Sequence, residues 1–295
     1  WEFRDTRAKK ANVTRGAALF EDSVYIVTSD CYLSALDRRT GAVRWQKQYA
    51  DATPSTVYCS AAPVVVKDKV IVGIAGGDQG LRGFLAALSA KTGDEVWRLF
   101  TVPLKGEKGS ETWGDYSEFG GGATWLSGTY DPALNTLYWC TGNTWPDFYA
   151  ADRPGDNLYT SSLLAIDADT GKMKWHFQFT PGDTRDWDAQ SWPILIDLPF
   201  RGQMRKLVIH PNRNGFFYTL DRVTGEFLNA AQMVDKMNWA KGIDAKGRPI
   251  KIPGKDPTPE GNLICPGVQG AANWNSSSYN PATKLVYVPN LEQCD

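Results

Sequence analysis

Ala165-Ile166-Asp167-Ala168-Asp169-Thr170-Gly171, followed four residues on by Trp175, decides the fold, because the chain repeats this pattern. Ala35-Leu36-Asp37-Arg38-Arg39-Thr40-Gly41 leads to Trp45, and Ala87-Leu88-Ser89-Ala90-Lys91-Thr92-Gly93 leads to Trp97. Thr219-Leu220-Asp221-Arg222-Val223-Thr224-Gly225 is a degenerate copy without the tryptophan. Each copy reads as an apolar strand, a tight turn and a second strand. The Asp side chain bonds the turn backbone, and Gly supplies the positive φ that closes it. Upstream of each copy lies a further apolar or alternating run: Ser23 to Thr28, Val64 to Gly73, Thr136 to Thr141, and Lys206 to His210.

Several strands per unit, in units of roughly fifty residues or more, are the signature of radially packed propeller blades. The expected fold is therefore all-β, a propeller of four-stranded antiparallel blades, with a flat sandwich as the alternative. The tryptophan after each turn is expected to pack between neighbouring blades. Trp1 stands where such a residue of an earlier copy would fall, which implies blades beyond both ends of this chain. The stretch from Asn229 to Leu263, rich in Lys, Gly and Pro, reads as an excursion outside the blade core.

Composition narrows the function. Of 295 residues, 32 are Lys or Arg and 33 Asp or Glu, a balance that offers no field to nucleic acid or an anionic membrane. No apolar run is long enough to span a bilayer, and the N-terminus lacks the pattern of a signal peptide and reads as cut. With two histidines, His176 and His210, and no Cys-x-x-Cys pair, a zinc site is not expected; any metal would need oxygen ligands. Gly73-Ile74-Ala75-Gly76-Gly77 follows a strand without opening a helix, so it is not a dinucleotide fingerprint. Cys31, Cys59 and Cys140 lie in apolar runs and are expected to be buried free thiols. Cys265 and Cys294 sit in polar surroundings and form a candidate disulfide, which implies an oxidising compartment.

Chemistry-bearing residues cluster at strand ends: Thr141-Gly142-Asn143, the acidic run Asp183-Thr184-Arg185-Asp186-Trp187-Asp188, and Asn212-Arg213-Asn214-Gly215. Taken alone, Asn and Asp at such places are turn formers, and Arg15 and Arg213 are solvated arginines. The ordered series Gly120-Gly121-Gly122-Ala123-Thr124-Trp125, Tyr130-Asp131-Pro132, Thr141-Gly142-Asn143, Arg153-Pro154-Gly155-Asp156-Asn157, Thr180-Pro181, Asn212 to Gly215 and Ile264-Cys265-Pro266 resembles the quinoprotein alcohol and methanol dehydrogenases. That family folds as eight-bladed propellers about twice this length, so residues 1–295 would be a central portion of one such domain.

The resemblance implies pyrroloquinoline quinone (PQQ) and a metal ion, calcium or a lanthanide, oxidising a small alcohol. Electrons would pass to a cytochrome c or a quinone, in the periplasm, with any membrane association carried by segments outside this chain. It places Asn143 and Asp78 as metal ligands, and Asp186 as metal ligand and catalytic base. Trp125 would stack on the quinone. Arg15, Ser60, Gly76, Gly77 and Asn273 would surround it, and Arg213 would lie beside its oxygens. The separation of Cys265 and Cys294 resembles a family disulfide.

Three features depart from the pattern. Asp78 replaces the usual Glu and is one methylene shorter. Lys9 and Lys10 stand where many members carry adjacent disulfide-bonded cysteines. Asp188 falls where lanthanide-dependent relatives carry an extra carboxylate, although it also reads as a turn cap. The competing function is a non-catalytic propeller scaffold with the same repeats, as in outer-membrane assembly lipoproteins. Such a scaffold has no reason to keep Asp78, Trp125, Asn143, Asp186 and Arg213 together.

Overall fold

The computed structural model describes residues 1–5, 13–52, 56–114 and 119–295. Lys9 and Lys10 lie outside the described residues. Strands come in four successive groups. The first is β1 (Ala17–Phe20), β2 (Ser23–Val27), β3 (Tyr32–Asp37) and β4 (Val43–Gln48). The second is β5 (Val64–Val66), β6 (Lys69–Gly73), β7 (Phe84–Ser89) and β8 (Glu95–Phe100). The third is β9 (Thr129–Asp131), β10 (Thr136–Cys140), β11 (Ser162–Asp167) and β12 (Met173–Gln178), and the fourth β13 (Ile194–Phe200), β14 (Gln203–Pro211), β15 (Phe216–Asp221) and β16 (Phe227–Gln232). Each group is a four-stranded antiparallel meander in chain order, the expected blade.

One run resolves into two strands, and one reading needs correction. The run Val64 to Gly73 is two strands, because Val66 pairs with Lys69 and the polar Lys67-Asp68 forms a two-residue hairpin turn, with Lys67 at φ 56°. Asn229 to Gln232 belongs to the blade as the end of β16, paired to β15. Beyond it the chain does leave the sheet, as a hairpin of β17 (Ala240–Ile243) and β18 (Pro249–Lys251).

The repeated turn works as its chemistry dictates. The Asp37 carboxylate accepts the backbone N–H groups of Arg39 and Thr40 at 3.0 and 2.9 Å, and Asp167 and Asp221 repeat this in their blades. The glycines at 41, 93, 171 and 225 all adopt φ between 71° and 79°. They serve a second purpose: a Cβ at each would stand 2.6–2.7 Å from an indole, that of Trp1, Trp45, Trp97 and Trp175 respectively. Each tryptophan thus seats on the turn glycine of the next blade. Trp1 occupies this relation to Gly41 like the rest.

Strand alternation lets one sheet serve two cores. In β7, Phe84, Ala86 and Leu88 pack towards the first blade with Tyr25, Leu33 and Val70, while Leu85 and Ala87 pack towards the third with Leu137, Trp139 and Leu164. In β11, Leu163 and Ala165 face the fourth blade. The outer side of that blade, Ile196, Leu207 and Ile209, meets Tyr279 and Val286 of a last hairpin, β19 (Ser278–Asn280) and β20 (Leu285–Tyr287).

The indole N–H bonds give a graded expectation. Trp45 Nε1 donates to Ala90 O at 3.2 Å, whereas Trp175 Nε1 is buried with no partner among the described residues. Trp45→Phe is expected to cost about 1–2 kcal/mol through the lost bond and smaller ring. Trp175→Phe should cost distinctly less. Urea midpoints of the two variants check the order.

Candidate active site

In an antiparallel meander all connections that follow even-numbered strands emerge at one end of the sheet. The segments carrying Tyr58 and Ser60 (after β4), Gly76 to Gly80 (after β6), Trp125 (after β8), Asn143 (after β10), Asp186 and Asp188 (after β12) and Arg213 (after β14) all do so. Arg15 enters β1 from the same end. Residues as far apart in sequence as Arg15 and Arg213 therefore share one face.

There they form a cavity of about 220 Å³ lined by Val13, Arg15, Tyr58, Ser60, Gly76, Gly77, Asp78, Trp125, Asp186, Asp188 and Arg213. Asn143 and Asn273 stand one layer behind: Asn143 Oδ1 lies 3.1 Å from where a Gly77 Cβ would be, and Asn273 Oδ1 accepts Arg213 Nη2 at 3.2 Å. Arg15 reaches over the Trp125 ring, 4.8 Å from its centroid, and donates to Ser60 O at 3.3 Å. Ser60 Oγ in turn donates to Trp125 O.

The acidic run divides into distinct jobs. Asp183 is fully buried and faces its own loop, accepting the N–H groups of Arg185 at 3.1 Å and Trp187 at 2.9 Å. That brace turns the next residues outward, and Asp186, at φ 57°, faces the cavity. The loop is also held from outside. Lys251 Nζ donates to Pro181 O at 2.8 Å, and Arg185 lies over Trp187 and Trp239 and pairs with Asp256. The excursion after β16 is thus a strap on the acidic loop. Among the described residues Asp188 caps no turn of its own: it accepts the N–H of Asn143 at 2.7 Å and forms an ion pair with Arg213 at 3.2 Å. Gly142 is required beside it, since a Cβ there would stand 2.5 Å from Asp188 Oδ1.

Arg213 also pairs with Asp186 at 3.5 Å and donates from Nη1 to the Asp186 backbone carbonyl. Even so, burial pushes both carboxyls, Asp186 and Asp188, above the usual carboxylate range, with repulsion from Asp188 adding to it at Asp186 and repulsion from Asp78 adding to it at Asp188. Burial, with repulsion from Asp78, Asp183 and Asp188, likewise pushes Asp147 up to about 7. The Tyr58 phenol is raised by burial and by Asp78. A cation among these groups would relieve the repulsion.

The donor set is all oxygen, which suits a hard ion. Among the described residues no three His, Cys, Asp or Glu side chains stand close enough to chelate an ion by themselves. Asn143 supplies a further donor: its Nδ2 is committed to Asp147 Oδ1 at 2.8 Å and Thr144 O at 3.1 Å, and its Oδ1 accepts no bond among the described residues. An ion here fits Asp78, Asn143 and Asp186 with oxygens of a bound cofactor completing the shell. For a flat anionic cofactor the cavity presents the Trp125 ring, with the Arg15 and Arg213 cations lining the same space.

Sequence reasoning missed Tyr58 and Asp147. Tyr58 lies two residues before Ser60 in extended backbone, a spacing that puts both side chains on one side. Asp147 carried no such signal. The cysteines need a correction too: Cys31 and Cys59 are joined, S–S 2.04 Å, because the turn after β2 and the segment after β4 meet at Ser29 O and Cys59 N. Cys265 and Cys294 are paired as expected, and Cys140 is a buried free thiol.

Cys140 lies 3.8 Å from His210 Nε2 in a fully buried pair that burial keeps neutral, with the histidine lowered to about 3. Since the folded-state value lies below the ordinary 6.5, His210 holds full stability above pH 6.5 and loses it as pH falls towards 3. The expected loss is about 1.4 kcal/mol per pH unit in that window. His210→Phe should flatten this part of the profile, read as the difference in urea midpoint between pH 7.5 and 5.5.

Four antiparallel blades and an oxygen-rich, arginine-flanked cavity over an indole define a quinoprotein dehydrogenase propeller. The chain belongs to the PQQ family of the glucose/ethanol/alcohol dehydrogenase beta-propeller domain, whose model matches residues 7–236. It is 44% identical over 296 residues to the quinohemoprotein alcohol dehydrogenase ADH IIB of Pseudomonas putida, covering 95% of this chain and 42% of that protein. The crystal structure of the quinohemoprotein alcohol dehydrogenase from Comamonas testosteroni superposes with a TM-score of 0.89 at 40% identity, over 94% of this chain and 44% of that one. The lanthanide-dependent methanol dehydrogenase of Methylacidiphilum fumariolicum is 36% identical, over 96% of this chain and 49% of its own length. This chain spans about half or less of the length of these relatives.

Proposed function

We propose that the protein carrying this chain oxidises a small alcohol to an aldehyde or ketone, using PQQ and a hard metal ion in this cavity. The observation that carries the reading is the shared cavity of Asp78, Trp125, Asp186, Asp188 and Arg213, with Asn143 Oδ1 beside Gly77. Asp78, Asn143 and Asp186 would hold the ion, calcium or a lanthanide. Asp188 adds a carboxylate that suits a trivalent ion, in keeping with the lanthanide dependence named for the Methylacidiphilum relative.

Trp125 would stack against the cofactor, and Arg15, Ser60, Gly76, Gly77 and, through Arg213, Asn273 would frame it. The quinone, when bound, supplies a two-electron acceptor for the hydrogen leaving the alcohol carbon. Asp186, the cavity carboxylate on an outward-turned loop, takes the hydroxyl proton as general base. Arg213, fixed between Asp186, Asp188 and Asn273, keeps a positive charge where negative charge develops.

Electrons would leave to a cytochrome c or a quinone. Two disulfides support an oxidising compartment, the periplasm, and no described helix is long and apolar enough to cross a membrane. The test is dye reduction by the full-length protein with ethanol and PQQ, with calcium or lanthanum added in turn. Turnover with one of the metals is the expected result; no turnover and no PQQ binding with either would overturn the reading.

A further inference from the structure

We propose that Asp147 is a positioning residue that fixes the side-chain amide of Asn143 with its carbonyl oxygen turned to the ion site. This rests on the reading of Asn143 as a metal ligand.

The two ends of an amide differ only in what they bond, so its orientation is set by its neighbours. On one side of Asn143 stand the Asp147 carboxylate at 2.8 Å and the Thr144 carbonyl at 3.1 Å. The Thr144 backbone carbonyl can only accept, so the NH2 group belongs on this side, and its second hydrogen meets the Asp147 carboxyl oxygen. The oxygen is then directed to the other side, against Gly77, the neighbour of Asp78. Asn143 is 1% exposed, and its backbone N–H is held separately by Asp188 at 2.7 Å. The backbone anchor sets where the residue sits; the Asp147 bond sets which way its amide faces. Arg153, which donates to Pro146 O at 2.8 Å and to Asp183 O at 2.6 Å, ties the segment next to Asp147 to the acidic loop. Outer-shell partners of this kind orient ligands and change metal affinity when removed.

Without the Asp147 acceptor the amide retains one weaker reason to keep its orientation, and a rotated amide would present N–H groups to a cation. The experiment is titration of the metal-free full-length protein, with PQQ present, by europium ion, read by lanthanide luminescence. Asp147→Ala is expected to weaken europium affinity about 10–100-fold. Asp147→Asn, whose side-chain oxygen can accept the same bond without charge, should recover most of it. Asp147→Leu, of similar volume and without an acceptor, is the second variant and should match Asp147→Ala, with each melting temperature recorded as a check on folding. Wild-type affinity in Asp147→Ala or Asp147→Leu would overturn the proposal. So would an Asp147→Asn variant as weak as Asp147→Leu, since charge and not the bond would then be responsible. Wild-type protein that binds no europium would instead remove the metal-site reading itself, and Asp147's role with it.

Discussion

Asp186→Asn in the full-length protein is expected to lower kcat for alcohol oxidation by about 10²–10⁴-fold, roughly 3–5 kcal/mol of barrier. The substitution keeps the shape of the side chain and one carbonyl oxygen for the ion but removes the base. The loop should stay in place, because what holds it is elsewhere. The Asp183 carboxylate accepts Arg185 and Trp187 N–H groups, and Arg213 Nη1 bonds the Asp186 backbone carbonyl, not only its carboxylate. Asp183→Asn is the informative contrast. It leaves the cavity carboxylates untouched and weakens the loop brace, so it should lower the melting temperature, which Asp186→Asn should leave near wild type. Steady-state kcat and thermal unfolding of the two variants check this separation. A kcat within a few-fold of wild type for Asp186→Asn would remove Asp186 from the chemistry.

Replacing Cys31 and Cys59 together by alanine is expected to cost about 3–4 kcal/mol, the entropy of an open chain whose cross-link closes a loop of 28 residues. Both cysteines are fully buried, and the bridge joins the turn after β2 to the segment that brings Tyr58 and Ser60 to the cavity. The loss should therefore reach the site as well as the fold, as weaker PQQ binding at a temperature where the variant remains folded. Cys140→Ala, at a thiol with no bridge, is the control and should leave PQQ binding unchanged. Urea unfolding and fluorescence titration with PQQ give the two numbers; a double variant as stable as wild type would contradict the expectation.

The blades were legible because their signal is local. An Asp that bonds its own turn, a Gly at positive φ and a Trp four residues on carry their geometry within one short stretch. The hairpin hidden in Val64 to Gly73 was not, since an unbroken apolar strand and two short ones around Lys67-Asp68 share one composition. Nor was the Cys31–Cys59 bridge: an apolar context announces burial, and only the meeting of two loops from successive turns of the meander decides whether buried thiols pair. The acidic run shows the same limit at the site. Asp183, Asp186 and Asp188 are alike in sequence, and the backbone alone divides them into a loop brace, a cavity carboxylate and a tie to the Asn143 loop. Asp147 was silent because its meaning lies in one contact with an amide. The excursion after β16 gave no hint that it straps the acidic loop through Lys251 and Asp256.

On the proposed reading, oxygens from three separate blade loops meet at one ion above an indole. A crystal structure of the full-length protein with PQQ and europium tests it most directly. The ion is expected to be ligated by Asp78, Asn143 Oδ1 and Asp186, with the quinone lying flat on Trp125. An ion bound elsewhere, or a quinone seated away from that ring, would contradict it.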